Sequence, residues 1–325
     1  MSTKLSSPTL AAQAFLLSFL KKIVEEGQTI FEVVGVVTQP DKPVGRKHIV
    51  TACPVKTYAI AHGIKVMDIK NPELPQLLAS CDIGLVFAFG EIIRPELLRA
   101  SKHGLWNIHP SALPLYRGPA PVAMPLILGE SECSISLIQL DEILDHGPII
   151  AQKPIKILPE VMHKDLLIKM AQMSYYMLFE SVQKIRTNSI NLTAQKELKK
   201  TYTYLLSRES GYIALPIIKK LLNNEVLDKN ENPEVIRKFL KKNPLVSWSP
   251  PHGKILLWNM YRALHPWPGI WTEIEMNNER KRLKIIEMSY NNGDPLITKM
   301  QIEGKNSVPF NSGVLHEANE MSPSR

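Results

Sequence analysis

The chain is expected to fold as a doubly wound, mostly parallel α/β sheet, followed by a smaller domain of a different kind. Three observations predict this. Through roughly the first 190 residues, apolar runs of strand length alternate with stretches of helical periodicity. Beyond them the alternation stops and short strand-like segments take over. And 325 residues are enough for two domains of ordinary size.

Taken in order, Ser7-Pro8 pairs a capping residue with a first-turn proline. Leu16, Phe19, Leu20, Ile23 and Val24 then recur at helical spacing, with Gly27 just beyond. Val33 to Val37 reads as a buried strand. A doubly wound sheet ordinarily begins with a strand before its first helix, and here only a few residues stand in that place, so the first strand is expected to be missing or very short. Thr38 to His48 carries two prolines, a glycine and three adjacent basic groups, which predicts an exposed loop kept out of any ladder. On such a turn Arg46, with Lys42 and Lys47 beside it, can reach a nucleic-acid backbone. Helix Pro54–His62, strand Ile64–Met67, a helix after Pro72 and strand Ile83–Ala88 continue the alternation. A strand over Ile149–Ile157 and a long striped helix over His163–Ile185 close the first domain at about residue 188. Residues 189–204, ending the lysine-rich Asn188–Lys200 run, read as a linker. The second domain spans 205–316, with short strands near Trp271–Glu275, Leu283–Met288 and Ile297–Ile302, and residues 317–325 read as a disordered tail.

The composition is that of an ordinary globular protein, 44% hydrophobic and 22% charged. A net charge of +8 and a pI near 9.2 favour an acidic partner, of which nucleic acid is the commonest. Cys53, Cys81 and Cys133 lie far apart with no CxxC, which argues against a disulfide framework or a structural metal and fits a reducing cytoplasm. The apolar segment Ala14–Leu20 is too short to span a bilayer.

The organising stretch is Gly104 to Pro148. Asn107 and His109 alternate at the end of a strand, so an amide and an imidazole project from one face. Asp145 follows a second strand-like run, Ser134–Leu140, and is expected at the same sheet edge. An amide, an imidazole and a carboxylate together suit acyl transfer without a nucleophilic serine or cysteine.

The segments NIHPSALPLYRGPAPV and LDEILDHG closely resemble the 10-formyltetrahydrofolate-dependent formyltransferase family. The resemblance implies a catalytic Asn107, His109 and Asp145. It implies a folate pocket formed by Ser111, Ala112, Leu113 and Pro114 together with Phe87, Ala88, Phe89, Gly90 and Ile92. Thr38–Arg46 resembles the family's tRNA-acceptor loop. Segments 207–213 and 261–269 resemble a C-terminal OB-like β-barrel involved in tRNA binding, here carrying an insertion at about 214–254. The fold implied is thus a Rossmann-like formyltransferase domain with a smaller barrel. The reaction implied moves a formyl group from 10-formyltetrahydrofolate to the α-amino group of methionyl initiator tRNA, with no metal and no membrane. A cytoplasmic monomer is expected. The alternatives are formyl transfer to an amino sugar nucleotide or glycinamide ribonucleotide, and an inactive RNA-binding homologue.

Overall fold

The computed structural model describes residues 10–44, 49–276 and 278–313. Helix α1, Leu10–Glu26, buries Phe15, Phe19 and Ile23, which stand four residues apart on one face. It ends at Gly27, whose N–H donates to Ile23 O at 3.0 Å. The run expected as a five-residue strand pairs only over β1, Val36–Val37. The residues before α1, where the first strand is expected to be missing or very short, lie outside the described ones.

Strands β2 (Lys42–Val44) and β3 (Ile49–Thr51) form an antiparallel pair, correcting the expectation that this loop joins no ladder. Pro43 is tolerated because an edge position needs no donor on its outer side. Helix α2 (Pro54–Ala61), strand β4 (Val66–Met67), helix α3 (Leu74–Ala79), strand β5 (Gly84–Phe87) and the short helix α4 (Pro95–Leu98) follow. Strand β6, Leu105–His109, is buried throughout.

The sheet is mixed. Strand β1 pairs β4 in parallel, and β5 pairs β6 in parallel with Phe87 opposite Ile108. Strand β7, Glu132–Gln139, runs antiparallel to β6, with His109 opposite Ser136. Strand β8, Ile149–Lys156, completes the order β5-β6-β7-β8. Met67, Leu74, Leu97, Leu98 and Leu105 form one core cluster, with Val37 and Val86 packed against it. Helix α6, His163–Arg186, buries Leu166, Leu167, Met170, Tyr175 and Leu178 along one stripe.

The chain separates into two compact units. The first comprises residues 1–117, 134–155 and 164–200 and contains every element of the site described below. The second comprises 118–133, 156–163 and 201–325, so two segments that the sequence assigns to the first domain cluster with the second unit. Within the second unit, helix α5 (Ala123–Leu128), helix α7 (Leu215–Leu222), helix α8 (Glu234–Lys242) and helix α9 (Gly253–Leu264) accompany an antiparallel sheet. Its strands β9 (Ile270–Met276), β10 (Glu279–Asn291), β11 (Asp294–Ile302) and β12 (Val308–Pro309) are ordered β12-β11-β10-β9. Residues 214–254, which carry no motif, are folded into this unit. Tyr204 Oη donates to Val235 O at 2.6 Å, and Trp248 Nε1 to Leu128 O at 2.9 Å. Several basic residues here are engaged locally. Lys238 pairs with Glu234 at 2.6 Å, Lys281 pairs with Glu279 at 3.0 Å, and Arg282 lies over the Trp271 ring.

Candidate active site

Residues 107 and 109 occupy alternate positions of β6, and both are buried. The alternation puts both side chains on one face. Asn107 is 9% exposed, and its side chain makes no hydrogen bond among the described residues. His109 lies between two oxygen acceptors. Its Nε2 is 3.1 Å from Tyr116 O, and its Nδ1 is 3.6 Å from Asp145 Oδ1. A carbonyl only accepts, so Nε2 carries the proton in this arrangement. Nδ1 then faces a carboxylate at ion-pair distance rather than hydrogen-bond distance.

Asp145 reaches His109 by a different route from the expected one. Because β7 runs antiparallel to β6, its end at Gln139 lies beside Trp106, at the opposite end of β6 from His109. Residues 141–147 bring the carboxylate back. This loop is held tightly. Asp145 adopts a left-handed φ of 50°, uncommon outside glycine. A Cβ on Gly147 would come within 1.8 Å of Gln139 O, so only glycine fits there. His146 Nδ1 is 2.6 Å from Asp141 Oδ2, and Asp141 Oδ1 accepts from Ile143 N.

The segment 111–114 forms a tight turn after β6. Ser111 is 1% exposed and its hydroxyl donates to Leu115 O at 2.7 Å, while Leu113 is buried in the interior. Ala112 and Pro114 make the accessible surface of this segment. Ser136 of β7 secures it from below. The Ser136 hydroxyl donates to Ser111 O at 2.7 Å and accepts from Leu113 N and from Gln152 Nε2. Ser136→Ala should therefore leave buried polar groups unpaired and destabilise the fold by about 1–3 kcal/mol. Denaturant unfolding of the variant checks this, and a shift below about 0.5 kcal/mol would contradict it.

The turn after β5 adjoins this region because β5 and β6 are parallel neighbours. Ala88 and Gly90 take positive φ and are exposed, as is Ile92, while Phe89 O accepts from Gln39 Nε2 at 3.0 Å. The Phe87 ring instead packs against Phe15 and Phe19, at centroid distances of 4.2 and 5.2 Å. Of the basic loop, Lys42 lies in β2, and Arg46 and Lys47 lie outside the described residues.

Sequence reasoning missed four groups: Tyr116, Ser136, Arg117 and Gln195. Arg117 is fully buried and bonds Gln195 and Glu197. This guanidinium holds the Glu197 carboxyl down to about 2. A depressed carboxyl stabilises the fold above its ordinary value, so that contribution is lost only as pH falls from the ordinary carboxylate range towards 2. The pair thus stays intact near neutrality. Among the described residues no group of three His, Cys, Asp or Glu side chains could hold a metal ion. Nor is any helix among them long and apolar enough to cross a membrane.

The model of the formyl transferase family matches residues 10–182. The methionyl-tRNA formyltransferase of Chloroflexus aggregans is 33% identical over 273 residues, covering 82% of this chain and 74% of that protein. That of Geobacter metallireducens is 29% identical over 280 residues, covering 85% and 76%. Among solved structures, a sugar 3N-formyl transferase crystallised with dTDP and 5-N-formyl-THF matches with a TM-score of 0.54 at 18% identity, over 90% of this chain and 95% of that one. A 4-N formyltransferase from Francisella tularensis gives 0.53 at 16% identity, over 82% and 91%. These structural likenesses speak to the fold, which is that of the formyltransferases. The sequence matches go further: the chain belongs to the methionyl-tRNA formyltransferase family.

Proposed function

We propose that this chain transfers the formyl group of 10-formyltetrahydrofolate to the α-amino group of methionyl initiator tRNA, acting in translation initiation. The observation that carries the catalytic reading is the buried contact of His109 with Asp145, on the strand that also bears Asn107. The amine lone pair attacks the formyl carbon, forming the new C–N bond and a tetrahedral carbon with an oxyanion. Asn107 donates an amide N–H to that oxygen. His109 donates from Nε2 once the oxyanion replaces Tyr116 O as its partner. Such donors are each worth about 2.7–4 kcal/mol of barrier. Asp145 holds the imidazolium in place and, through water, helps carry away the proton that the amine loses. Collapse breaks the bond to N10 of the folate, which leaves with a proton as tetrahydrofolate.

Ala112 and Pro114, with the turn Ala88 to Ile92, offer the accessible surface for the pterin; Ser111, Leu113 and Phe87 support it from inside. No step needs a metal. The chain acts as a monomer in the cytoplasm in this reading, and light scattering of the purified protein tests the oligomeric part. The deciding experiment offers 10-formyltetrahydrofolate with charged initiator tRNA, amino sugar nucleotides and glycinamide ribonucleotide in parallel. Transfer to tRNA alone is expected; preference for a sugar nucleotide would overturn the substrate assignment.

The basic loop makes a separate prediction. If Arg46 meets an acceptor-stem phosphate, Arg46→Ala weakens tRNA binding, spares folate binding, and lowers the slope of log affinity against log salt by about 0.9. Binding measured across a salt series for both proteins decides it. Coincident lines would mean that the loop is merely solvated, and would move the phosphate contact to the lysines of the second domain.

A further inference from the structure

We infer that Gln195, locked in place by Arg117, is a positioning residue for Asp145, so that the segment connecting the two halves of the chain forms part of the active site. This rests on the reaction proposed above. The segment carries none of the motif residues, and its polarity reads as that of a solvated tether. Its bonds are of another kind. Thr193 and Ile149 exchange both backbone hydrogen bonds, at 2.8 and 2.9 Å, which lays the segment against the start of β8. Two residues on, Gln195 Nε2 donates to Asp145 O at 2.9 Å and to Gly147 O at 2.8 Å.

The orientation of that amide is fixed by its neighbours. Arg117 can only donate, and its Nε and Nη2 lie 3.2 and 2.7 Å from Gln195 Oε1. The carbonyls of Asp145 and Gly147 can only accept. A flipped amide would set donor against donor and acceptor against acceptor, so both ends demand the same orientation. Glu197 then takes the remaining face of the guanidinium, with Oε1 2.5 Å from Nη2 and Oε2 3.3 Å from Nη1.

What the amide holds is a residue in a costly conformation. Asp145 sits at φ 50°, and the chain must pass Gln139 O closely at Gly147. Two hydrogen bonds to the carbonyls of residues 145 and 147 bracket that turn and keep the Asp145 carboxylate directed at His109. Tyr116 supplies the acceptor for His109 Nε2, and its chain neighbour Arg117 orients Gln195. One dipeptide thus fixes both members of the His109–Asp145 pair.

The test compares the wild-type protein with Gln195→Glu, Gln195→Ala and Arg117→Lys. Gln195→Glu keeps an oxygen towards Arg117 but sets a second oxygen against two carbonyls. It should lower kcat about tenfold, as displacement of a catalytic group by a fraction of an ångström does, with KM for the folate within about twofold. The limb of the pH–rate profile that reports His109 should move to lower pH, the direction expected when the carboxylate draws back. Arg117→Lys, which cannot fork onto Gln195 Oε1, should behave alike but more mildly. Titration of the His109 imidazole, followed by 15N NMR without substrate, should show the same displacement. That signal separates two kinds of failure. Absent formyl transfer by the wild type with a shifted imidazole would sink the reaction and keep the positioning role. Wild-type kcat, profile and imidazole titration in Gln195→Glu would overturn the positioning role. So would a lower kcat with both titrations unmoved, or unfolding of both Gln195 variants at the assay temperature, since either assigns the residue to stability alone.

Discussion

Asn107→Ala and His109→Ala are each expected to reduce formyl transfer at least about a hundredfold while leaving the protein folded. The scale follows from the loss of one donor to a developing oxyanion. The Asn107 side chain makes no hydrogen bond among the described residues, so removing its amide strands no partner, and the loss should fall on kcat. His109 differs, because alanine there removes the imidazole beside Asp145 and the donor to Tyr116 O. That variant should also lose some stability, while Asn107→Ala should not. Steady-state kinetics on purified variants, with circular dichroism and thermal unfolding to monitor the fold, check both parts. Near-normal turnover in either variant would take that residue out of the mechanism.

The periodic elements were legible because burial leaves a repeating mark on sequence. The stripe of α6 and the length of β8 follow directly from where apolar residues fall. In α1 the helix was legible, but its innermost residues are Phe15, Phe19 and Ile23 rather than the neighbouring leucines, since aromatic contact with Phe87 sets the rotation. The placement of Asn107 beside His109 was legible for the same reason, a period of two. Asp145 was legible as a candidate but not in its route, because strand direction is a property of pairing and not of the strand itself. Ser111 shows the converse. Its hydroxyl sits in a segment that resembles a folate wall, yet it turns inward to Leu115 O. Pro43 argues in sequence against a ladder, and an edge strand admits it. Arg117 and Gln195 meet across 78 residues of sequence, and a glutamine that binds two carbonyls looks, in sequence, like any polar linker residue. Hydrogen bonds of that range leave no local pattern to read.

Asp145→Asn should abolish most turnover, again by at least about a hundredfold, though the substitution is nearly isosteric. The carboxylate and the imidazole are 3.6 Å apart with side chains only 10% and 6% exposed, so little water intervenes to screen them. An amide supplies no charge to balance an imidazolium and presents either an oxygen or an NH2 group to Nδ1. With the oxygen forward the ring keeps its orientation but holds its second proton less firmly. With the NH2 forward it is driven to the neutral form with Nδ1 as acceptor, while Nε2 still serves Tyr116 O. Both outcomes weaken the charged ring that would face the oxyanion, and both remove the acceptor for the amine's proton. The limb of the pH–rate profile that reports His109 should therefore move to lower pH, so the residual activity of Asp145→Asn falls away sooner than that of the natural protein as pH rises. The backbone at residue 145 should be unaffected, because Gln195 binds its carbonyl and not its side chain, and asparagine tolerates the left-handed conformation as readily as aspartate. Thermal stability close to that of the natural protein is thus expected beside the kinetic loss. Full activity with an unchanged pH profile would reduce Asp145 to a turn residue and leave His109 to act on Asn107's side of the substrate alone.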